Sequence, residues 1–397
     1  MYGLFLVLGK KREVRGEKQM NFNEIAAKEY EYMLNFMREF APIPAPSGQE
    51  DLRAEYVLKF MKDLGLEDAY IDEVKNVVCI LGDKNADMTV FMAHTDVVFP
   101  DTTTLPFSED EEKMYCPGVG DDTGRLVVML TALKYIVENK IPLKNTLMFV
   151  ANSCEEGLGN LKGSRKIFED YGDRIKALYT FDNSYSGLVN KSVGSHRYKV
   201  VAKTEGGHSF GNFGRRNAIS VLAKMICAIE DIEVPKIDDS RTTYNIGIIS
   251  GGTSVNTIAQ EAEALVEYRS DNVECLEIME KKFYEIFKAT EEDCQELIVE
   301  VVGKRPCMKG VDPVVMDEMT EEVANIQSKH TGLAEIKRSS GSTDCNIPHS
   351  LGIPAICVGN VNSGGMHTRE EWLEKKSMEI GLKIALELIL TVGNREV

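Results

Sequence analysis

The amino-acid sequence predicts an α/β protein with a mostly parallel central sheet and an inserted, ferredoxin-like α+β domain. Short apolar strands alternate with helical patterns up to residue 194 and again after residue 304, as in parallel sheets covered on both faces. Between residues 195 and 304 the predicted order is β-α-β-β-α-β, the split unit of a ferredoxin-like sandwich. A chain of 397 residues is too long for one ordinary hydrophobic core, so we expect two domains.

Hydrophobic periodicity and chain-breaking residues predict the elements of the larger domain. Apolar residues at helical spacing predict helices at 21–40 and 50–64, separated by a proline-rich loop at 41–48. Apolar and β-branched runs predict buried strands at 77–81, 89–93, 146–151 and 177–181. A glycine-rich loop is expected at 113–124, and the helix after it carries Leu126, Leu130, Leu133 and Val137 on one face.

The inserted domain and the end of the chain follow the same rules. Strands are predicted at 197–203, 244–250, 262–269 and 297–302, with helices at 217–229 and 273–289. After residue 304 we expect a strand at 354–358, a glycine-rich loop and a long closing helix at 370–392.

The N-terminal 19 residues do not match a signal peptide. The apolar run at 1–8 precedes the basic residues 10–12, whereas a signal peptide has its charges first. An amphipathic pattern begins only at Met20, so we expect residues 1–19 to be a disordered extension or to precede the true start. The larger domain would then consist of residues 20–194 and 305–397, with residues 195–304 inserted between them.

Composition restricts the classes of partner and of metal site. The 63 acidic and 46 basic residues give a net charge of −17, which argues against nucleic acid or an anionic membrane as a partner. No stretch after the first residues is apolar enough to cross a membrane. The nine cysteines include no Cys-x-x-Cys pair, a pattern typical of reduced thiols in the cytoplasm. Any metal ion is therefore expected on histidine, aspartate and glutamate.

The strand at 89–93 ends in a pair of residues with metal-site chemistry. His94 can offer one ring nitrogen to a metal ion, and a nearby carboxylate such as Asp96 can fix its tautomer and raise its basicity. Alone, this stretch equally fits a strand end followed by a polar turn.

Four further polar groups follow predicted strands or open a helix. They are Asp121 with Asp122, Glu155 with Glu156, Asp182, and His367. Each alone has an ordinary explanation as a helix cap, a turn or a surface loop. The carboxyl ends of parallel strands meet at one edge of a sheet, however, so these groups can converge there. Together they are a ligand set for zinc or a similar divalent ion, and they suffice for two ions that share a carboxylate.

These motifs carry a family resemblance. In their order, His94-Thr-Asp96, Gly120-Asp121-Asp122, Glu155-Glu156-Gly157, Asp182 and His367 resemble the M20 family of co-catalytic metallopeptidases. They are similar to its peptidase T-like branch, which includes tripeptide aminopeptidases. The resemblance covers nearly the whole chain from Met20. It implies a zinc-peptidase-like catalytic domain interrupted by a lid that also serves for dimerisation.

The resemblance implies two metal sites that share one ligand. One ion would bind His94, Asp121 and Asp182. The second would bind Asp121, Glu156 and His367, with Asp121 as the bridge.

The resemblance also implies two roles beside the metal ions. Asp96 would orient His94, and Glu155 would be the general base that takes a proton from the bridging water. The chemistry agrees, because adjacent carboxylates can do different jobs when one binds metal and the other faces the water.

Three lid residues are implied to contact the substrate. The motif Gly206-Gly207-His208-Ser209 resembles the family's Gly-Gly-His motif, whose histidine reaches the active site of the other subunit in a homodimer and stabilises the oxyanion. Asn256 and Arg269 lie in segments that resemble those binding the substrate carbonyl and terminal carboxylate. A guanidinium suits a carboxylate, although a surface ion pair is a competing explanation for Arg269.

The chain also departs from the family pattern near the substrate. Many relatives have Gly-Gly after the last aspartate ligand, where this chain has Asn183-Ser184. Phe210 stands where small residues are common. Both differences affect the expected substrate specificity more than metal binding.

These inferences predict a cytoplasmic two-metal hydrolase that cleaves amide bonds of small peptides, as a di- or tripeptide aminopeptidase. The two divalent ions are expected to be zinc, with cobalt or manganese as alternatives. An N-acyl amino acid deacylase is the alternative enzyme, because no residue can be assigned to bind a free α-amino group. A non-catalytic dimeric binding protein on the same fold is a further alternative, which the presence of both Glu155 and Glu156 disfavours.

Overall fold

The structure, a computed structural model, describes residues 20–396. Its α-helices are α1 (Phe22–Phe40), α2 (Asp51–Asp63), α3 (Arg125–Glu138), α4 (Lys162–Tyr171), α5 (Ala218–Glu230), α6 (Val273–Glu292), α7 (Pro313–Thr331), α8 (Asn346–Ser350) and α9 (Ser377–Asn394). Its strands are β1 (Tyr70–Ile71), β2 (Val77–Leu81), β3 (Met88–His94), β4 (Ser108–Glu109), β5 (Lys113–Tyr115), β6 (Thr146–Asn152), β7 (Ile175–Ser184), β8 (Gly187–Ser192), β9 (Gly194–Lys203), β10 (Gly207–His208), β11 (Thr242–Gly251), β12 (Thr257–Ile258), β13 (Glu261–Ser270), β14 (Glu296–Arg305), β15 (Lys337–Gly341), β16 (Ala355–Val361), β17 (Ser363–Gly364) and β18 (Trp372–Glu374).

The central sheet has eight strands in the order β1-β2-β6-β3-β7-β16-β8-β15. Its middle strands β6, β3, β7 and β16 run parallel to one another, while β1, β2 and β8 supply the antiparallel pairs. The predicted fold class, an α/β protein with a mostly parallel sheet, is therefore confirmed. The carboxyl ends of β3, β6 and β7 come together at one edge of this sheet.

Buried side chains on both faces hold this edge in place. Phe91 of β3 is fully buried and stacks on Phe149 of β6 and Tyr179 of β7, with ring centroids 5.7 and 5.4 Å apart. Helices α1, α3, α7 and α9 cover this face, while α4 and α8 cover the face that carries Val90 and Met92. Burial of each large apolar side chain stabilises the fold by about 1.5–3 kcal/mol, so the edge rests on a rigid core.

The inserted segment forms a second sheet, in the order β11-β13-β9-β14, with every pair antiparallel. Helices α5 and α6 pack on one face, against a cluster that includes Tyr198, Tyr268 and Phe283. This is the ferredoxin-like arrangement predicted from the β-α-β-β-α-β order. We call this segment the lid. Its limits as a separate domain, residues 195–304, stay a prediction.

The closing helix begins later than predicted. The prediction of a helix at 370–392 is wrong at its start, because residues 372–374 form β18 and the helix begins at Ser377. Trp372 pairs with Tyr115 of β5, and its ring lies 3.8 Å from the ammonium of Lys113. The loop predicted at 113–124 accordingly begins with a strand.

Two further predictions concern the N-terminal extension and membrane-spanning segments. The extension predicted at residues 1–19 lies outside the described residues. Among residues 20–396, no helix has the length and apolar character needed to cross a membrane.

A buried histidine in α8 makes the stability of the fold depend on pH. His349 is fully buried, its Nε2 donates to the carbonyl of Ala355 at 2.9 Å, and its Nδ1 therefore accepts from the hydroxyl of Ser192 at 2.7 Å. Burial lowers the pKa of His349 to about 4, against the backbone hydrogen bond to Ala355, which raises it. The neutral ring is thus the folded form.

We expect acid to destabilise the protein partly through His349. Between pH 6.5 and 4 the unfolded chain binds a proton that the folded chain does not, so the free energy of unfolding falls as the pH is lowered through this window. From pH 7 to pH 5 the loss is about 2 kcal/mol. Urea unfolding of wild type and His349→Gln at both pH values checks this. An equal loss in both proteins would contradict it.

Candidate metal centre and cleft

The predicted ligands meet at the carboxyl edge of the central sheet. His94 is the last residue of β3, Asp182 lies near the end of β7, and Glu156 follows β6 by four residues. Asp121 comes from the turn before α3, and His367 from the loop between β17 and β18. Residues far apart in sequence therefore converge, as expected for strand ends in a parallel sheet.

The ligand atoms of the predicted residues form two groups that share Asp121, and a third group consists of His94, Glu155 and Glu156. The first group is His94, Asp121 and Asp182, and the second is Asp121, Glu156 and His367. Within each group all ligand atoms lie within 4.8 Å of one another. The two carboxylate oxygens of Asp121 face different histidines: Oδ1 lies 3.1 Å from Nε2 of His94, and Oδ2 lies 3.3 Å from Nε2 of His367.

This geometry fits a pair of divalent ions. In a tetrahedral zinc site with ligands at about 2.0–2.1 Å, neighbouring ligand atoms lie about 3.3–3.4 Å apart. The distances from Asp121 to the two histidines, and 3.1 Å from His367 Nε2 to Glu156 Oε1, are close to that edge. Three carboxylates and two imidazoles could therefore hold two ions, with one oxygen of Asp121 for each.

Hydrogen bonding prepares His94 to bind a metal ion. Its Nδ1 donates to the carbonyl oxygen of Asp96 at 3.0 Å, which leaves Nε2 as the atom that faces Asp121. The carboxylate of Asp96 is farther from Nδ1, at 3.5 Å. The Asp96 backbone thus makes the shorter contact to the ring, where the sequence had suggested the carboxylate.

The Asp96 carboxylate has a second task. It accepts the backbone N–H groups of Glu155 and Glu156, both at 2.9 Å, and the hydroxyl of Ser47 at 2.5 Å. A buried carboxylate that accepts three hydrogen bonds has few other arrangements open to it. Asp96 therefore connects the position of the Glu155-Glu156 pair to that of His94.

Glu371 holds the turn that carries Asp121, and sequence reasoning missed it. Its carboxylate accepts the backbone N–H groups of Gly118, Gly120 and Asp121 at 2.7 to 2.9 Å. Burial raises the pKa of Glu371 to about 7. A Cβ atom at Gly120 would lie 2.3 Å from the Cβ of Ser363, so the turn has no room for a side chain there. No local pattern marks this role, since the sequence predicts residue 371 as part of the closing helix at 370–392.

Carboxylates are concentrated at the site, and they shift the pKa values of their neighbours. The hydrogen bonds to Asp121 and Glu156 raise the pKa of His367 to about 10. Burial raises the pKa of Asp182, and the charges of Asp121 and Asp122 raise it further. Either protons or divalent cations can compensate this density of negative charge.

Glu155 lies beside the two groups and is held by a lid arginine. The Nη1 atom of Arg305 donates to Oε1 of Glu155 at 3.1 Å and to the hydroxyl of Ser342 at 3.2 Å, while its Nη2 donates to the main-chain oxygen of Glu155. Burial raises the pKa of Glu155 to about 8, although the charge of Arg305 acts in the opposite direction. Arg305 ends β14, and nothing in the sequence around it indicated this contact.

A cleft of about 510 Å³ opens in front of these residues, between the sheet edge and the lid. Arg269 lines it, as predicted for a substrate-binding residue, and forms a two-point ion pair with Glu267 at 2.9 and 3.1 Å. The lining residues are Val98, Asp121, Glu155, Glu156, Gly157, Leu158, Asp182, Arg197, Glu267, Arg269, Arg305, Ser342 and His367.

The other two predicted lid residues do not line this cleft. His208 and Asn256 are exposed, in neighbouring segments that are joined by a hydrogen bond from the N–H of Ser209 to the carbonyl of Asn256 at 2.9 Å. Nδ1 of His208 accepts the N–H groups of Phe210 and Gly211, so the ring is held in place at the lid surface. Within the single chain, the structure does not bring these two residues to the metal centre.

Known proteins are similar to this chain in sequence or in fold. Succinyl-diaminopimelate desuccinylase of Corynebacterium glutamicum is 25% identical over 339 residues, which cover 83% of this chain and 88% of that protein. A tripeptidase of Staphylococcus aureus has a TM-score of 0.74 at 25% identity, and the alignment covers 92% of this chain and 98% of that chain. Aminopeptidase PepT of Bacillus cereus has a TM-score of 0.71 at 23% identity, with 91% of this chain and 98% of that chain covered.

The family follows from a longer match. The sequence model of peptidase family M20/M25/M40 matches residues 90–391, which include every candidate metal ligand and the whole lid. This confirms the resemblance inferred from the motifs, and with it an enzyme that hydrolyses amide bonds. The chain belongs to peptidase family M20/M25/M40.

Proposed function

We propose that the protein is a co-catalytic two-metal hydrolase of small peptides, acting as a di- or tripeptide aminopeptidase. The observation that carries this proposal is the pair of ligand groups that share Asp121 directly beside Glu155. The similarity to a tripeptidase at 25% identity supports the choice of short peptides.

The proposed chemistry divides the work between metal ions and residues. Two divalent ions would polarise the scissile carbonyl and lower the pKa of a shared water. Glu155 would take a proton from that water and return it to the leaving amine. Arg305 donates a hydrogen bond to Oε1 of Glu155. We therefore expect Oε2 to be the oxygen that accepts the proton.

Zinc is the ion we propose, because imidazole and carboxylate ligands at tetrahedral spacing suit it, with cobalt and manganese as alternatives. We also propose a cytoplasmic location. All nine cysteines are free thiols, and eight of them are buried, as is usual in a reducing compartment.

An N-acyl amino acid deacylase is the second candidate function. The relative from Corynebacterium glutamicum is a desuccinylase, and it matches 83% of this chain. Every carboxylate among the described residues that line the cleft either belongs to a proposed metal-ligand group or pairs with an arginine. None of them is available to bind an α-amino group. A free amine is therefore not a necessary feature of the substrate.

A substrate panel tests these alternatives. Short peptides and acyl amino acids are assayed with zinc, cobalt or manganese, and Glu155→Gln serves as the negative control. Faster hydrolysis of di- and tripeptides would support the peptidase, and faster hydrolysis of acyl amino acids the deacylase. Absence of turnover on both classes with two bound ions per chain would contradict the proposed function.

We further propose a homodimer, formed through the lid. Strand β11 is an edge strand of the lid sheet, and its Ile248 and Ile249 are about half exposed, at 53% and 50%. Next to His208, the side chains of Phe210, Phe213 and Val255 are almost fully exposed. Unpaired strands and apolar patches of this kind mark contact surfaces. In the dimer, His208 and Asn256 would complete the active site of the other subunit.

Subunit complementation is expected if His208 acts across the dimer. His208→Ala leaves the metal centre intact, and Glu155→Ala leaves His208 intact, so each homodimer should be nearly inactive. After the two are unfolded and refolded together, random pairing makes half of the dimers mixed, each with one complete site. Roughly a quarter of the wild-type activity should return.

Wild type carried through the same refolding is the control for recovery. Mass spectrometry establishes that mixed dimers have formed. If they have formed and the mixture stays inactive, His208 does not act across the interface. A fully active monomer at the assay concentration would contradict the shared site altogether.

A further inference from the structure

The lid presents three arginines to the cleft from three neighbouring strands. Arg197 belongs to β9, Arg269 to β13 and Arg305 to β14, and all three line the cleft. In the strand register, Arg269 and Arg305 both stand opposite Ser195, while Arg197 stands opposite Glu267. They lie on the sheet face away from α5 and α6, because successive side chains point to opposite faces.

Among the residues that the structure describes, one carboxylate, that of Glu267, pairs with both Arg197 and Arg269. Glu267 accepts from Nε of Arg197 at 3.2 Å and from Nε and Nη2 of Arg269. Arg197 also donates through Nη1 to the carbonyl of Gly157 at 2.5 Å, next to the proposed metal ligand Glu156. The pair thus carries one net positive charge and is held close to the proposed reaction centre.

Each of these two guanidiniums keeps donors free for a ligand. Among the described residues, Nη2 of Arg197 and Nη1 of Arg269 have no hydrogen-bond partner. The side chains are 18% and 37% exposed, so the donors are partly shielded from water without being closed off. Free guanidinium donors in such a position suit carboxylates.

The net charge of the whole cleft also favours a substrate with carboxylates. Its lining has five carboxylates and three guanidiniums, and only Val98 and Leu158 offer apolar side chains. The two divalent ions that we propose would bring four positive charges, so a surplus of two positive charges would face the substrate. A substrate with two carboxylates would neutralise these two positive charges. A large apolar side chain of a substrate would have few apolar groups to contact.

We propose that Arg197 forms a second anion-binding position beside Arg269, and that the preferred substrates are small amides with two carboxylates. This inference rests on the proposed function, in which Arg269 binds the terminal carboxylate. The second carboxylate can come from an acidic residue on the amine side of the scissile bond or from a dicarboxylic acyl group. Both sources present the same chemistry to Arg197.

Matched substrates that differ only in one charge test this inference. Ala-Glu and Ala-Gln place the difference on the amine side, and succinyl-alanine and succinamoyl-alanine place it on the acyl side. With metal-reconstituted wild type, kcat/KM for the charged member of at least one pair should exceed that of the neutral member about tenfold, as expected for a charge-assisted hydrogen bond in a partly open site.

Variants of Arg197 show whether this residue causes the preference. In Arg197→Met the ratio of charged to neutral substrate should fall close to one. Arg197→Lys keeps the charge and loses the forked geometry, so its ratio should be intermediate. Lys199→Met is the matched control, because Lys199 lies on the same strand, pairs with Glu263 at 2.9 Å and does not line the cleft. It should keep the wild-type ratio.

Three results would overturn the inference. They are a wild-type ratio near one in both pairs, an unchanged ratio in Arg197→Met, and an equal drop in Lys199→Met. If Arg197→Met does not fold, as judged by thermal melting, the wild-type and Arg197→Lys ratios decide. Hydrolysis of the neutral members shows separately that the proposed amide hydrolase is active, so the two hypotheses fail in different ways.

Discussion

Glu155→Gln is expected to lower kcat by about 10² to 10⁴ while both metal ions stay bound, because it removes only the proposed general base. Glutamine has nearly the same shape and can still accept from Arg305 through its carbonyl oxygen. The backbone N–H of residue 155 keeps its bond to Asp96. Steady-state kinetics and elemental analysis of the purified variant measure the two quantities separately. Substrate affinity should change little.

Arg305 provides the control for this assignment. Its contacts in the site go to Glu155 and to Ser342, so Arg305→Met should slow the wild-type enzyme by misplacing the base. In the Glu155→Gln background the same substitution should cost much less, because the group it positions is already inactive. A near-normal rate in Glu155→Gln would mean that the base lies elsewhere. Loss of metal in that variant would mean that Glu155 and Glu156 have exchanged roles.

Removal of metal is expected to abolish turnover. Five ligand side chains bring three carboxylates to one edge of the sheet, and cations would both balance them and supply the proposed chemistry. Purified protein should carry up to two divalent ions per chain. Exhaustive chelation should reduce activity to background, and added zinc, cobalt or manganese should restore it.

Two matched variants separate the shared ligand from an unshared one. Asp121 belongs to both ligand groups, whereas Asp182 belongs to the first group only. Asp121→Asn should therefore weaken binding of both ions, and Asp182→Asn should weaken binding of one. Elemental analysis after dialysis against limiting zinc measures the difference. Equal stoichiometry in the two variants, or full turnover of verified metal-free protein, would refute the two-ion centre.

The sheet and the set of candidate ligands could be predicted because each depends on local sequence. Apolar runs of strand length located β3, β6 and β7, and a polar residue directly after a buried strand must lie at the edge of the sheet. His94 and Asp182 directly follow the strands predicted at 89–93 and 177–181, and they lie in the last residues of β3 and β7. Topology then brings such residues together without any further information.

Groups that act on the site from a distance in sequence could not be predicted. Glu371 reaches the turn at Asp121 across 250 positions, and Arg305 reaches Glu155 across 150. An isolated acidic or basic residue has no periodicity, so its burial and partners depend entirely on tertiary packing. The same holds for Arg197, which in sequence is one charge among many on an amphipathic strand.

Some local elements could not be predicted because their sequence signals are weak or resemble those of another element. Helix α4 begins after two residues with positive φ, Asn160 and Leu161, which have no clear capping signature. The sequence predicts β18 as part of a helix, because its apolar residues and those of α9 lie at a spacing compatible with one helix. Its pairing with β5 overrides that tendency.

The single tryptophan of the chain, Trp372, lies beside two segments that position proposed metal ligands. Trp372 directly follows Glu371, which holds the Asp121 turn, and its strand pairs with Gly364, three residues before His367. Gly364 packs so closely on the indole that a Cβ atom there would lie 2.6 Å from the ring. Ion binding that draws His367 towards Asp121 would alter the surroundings of this one indole. Intrinsic fluorescence therefore offers an optical readout of metal loading, free of background from other tryptophans and independent of any substrate.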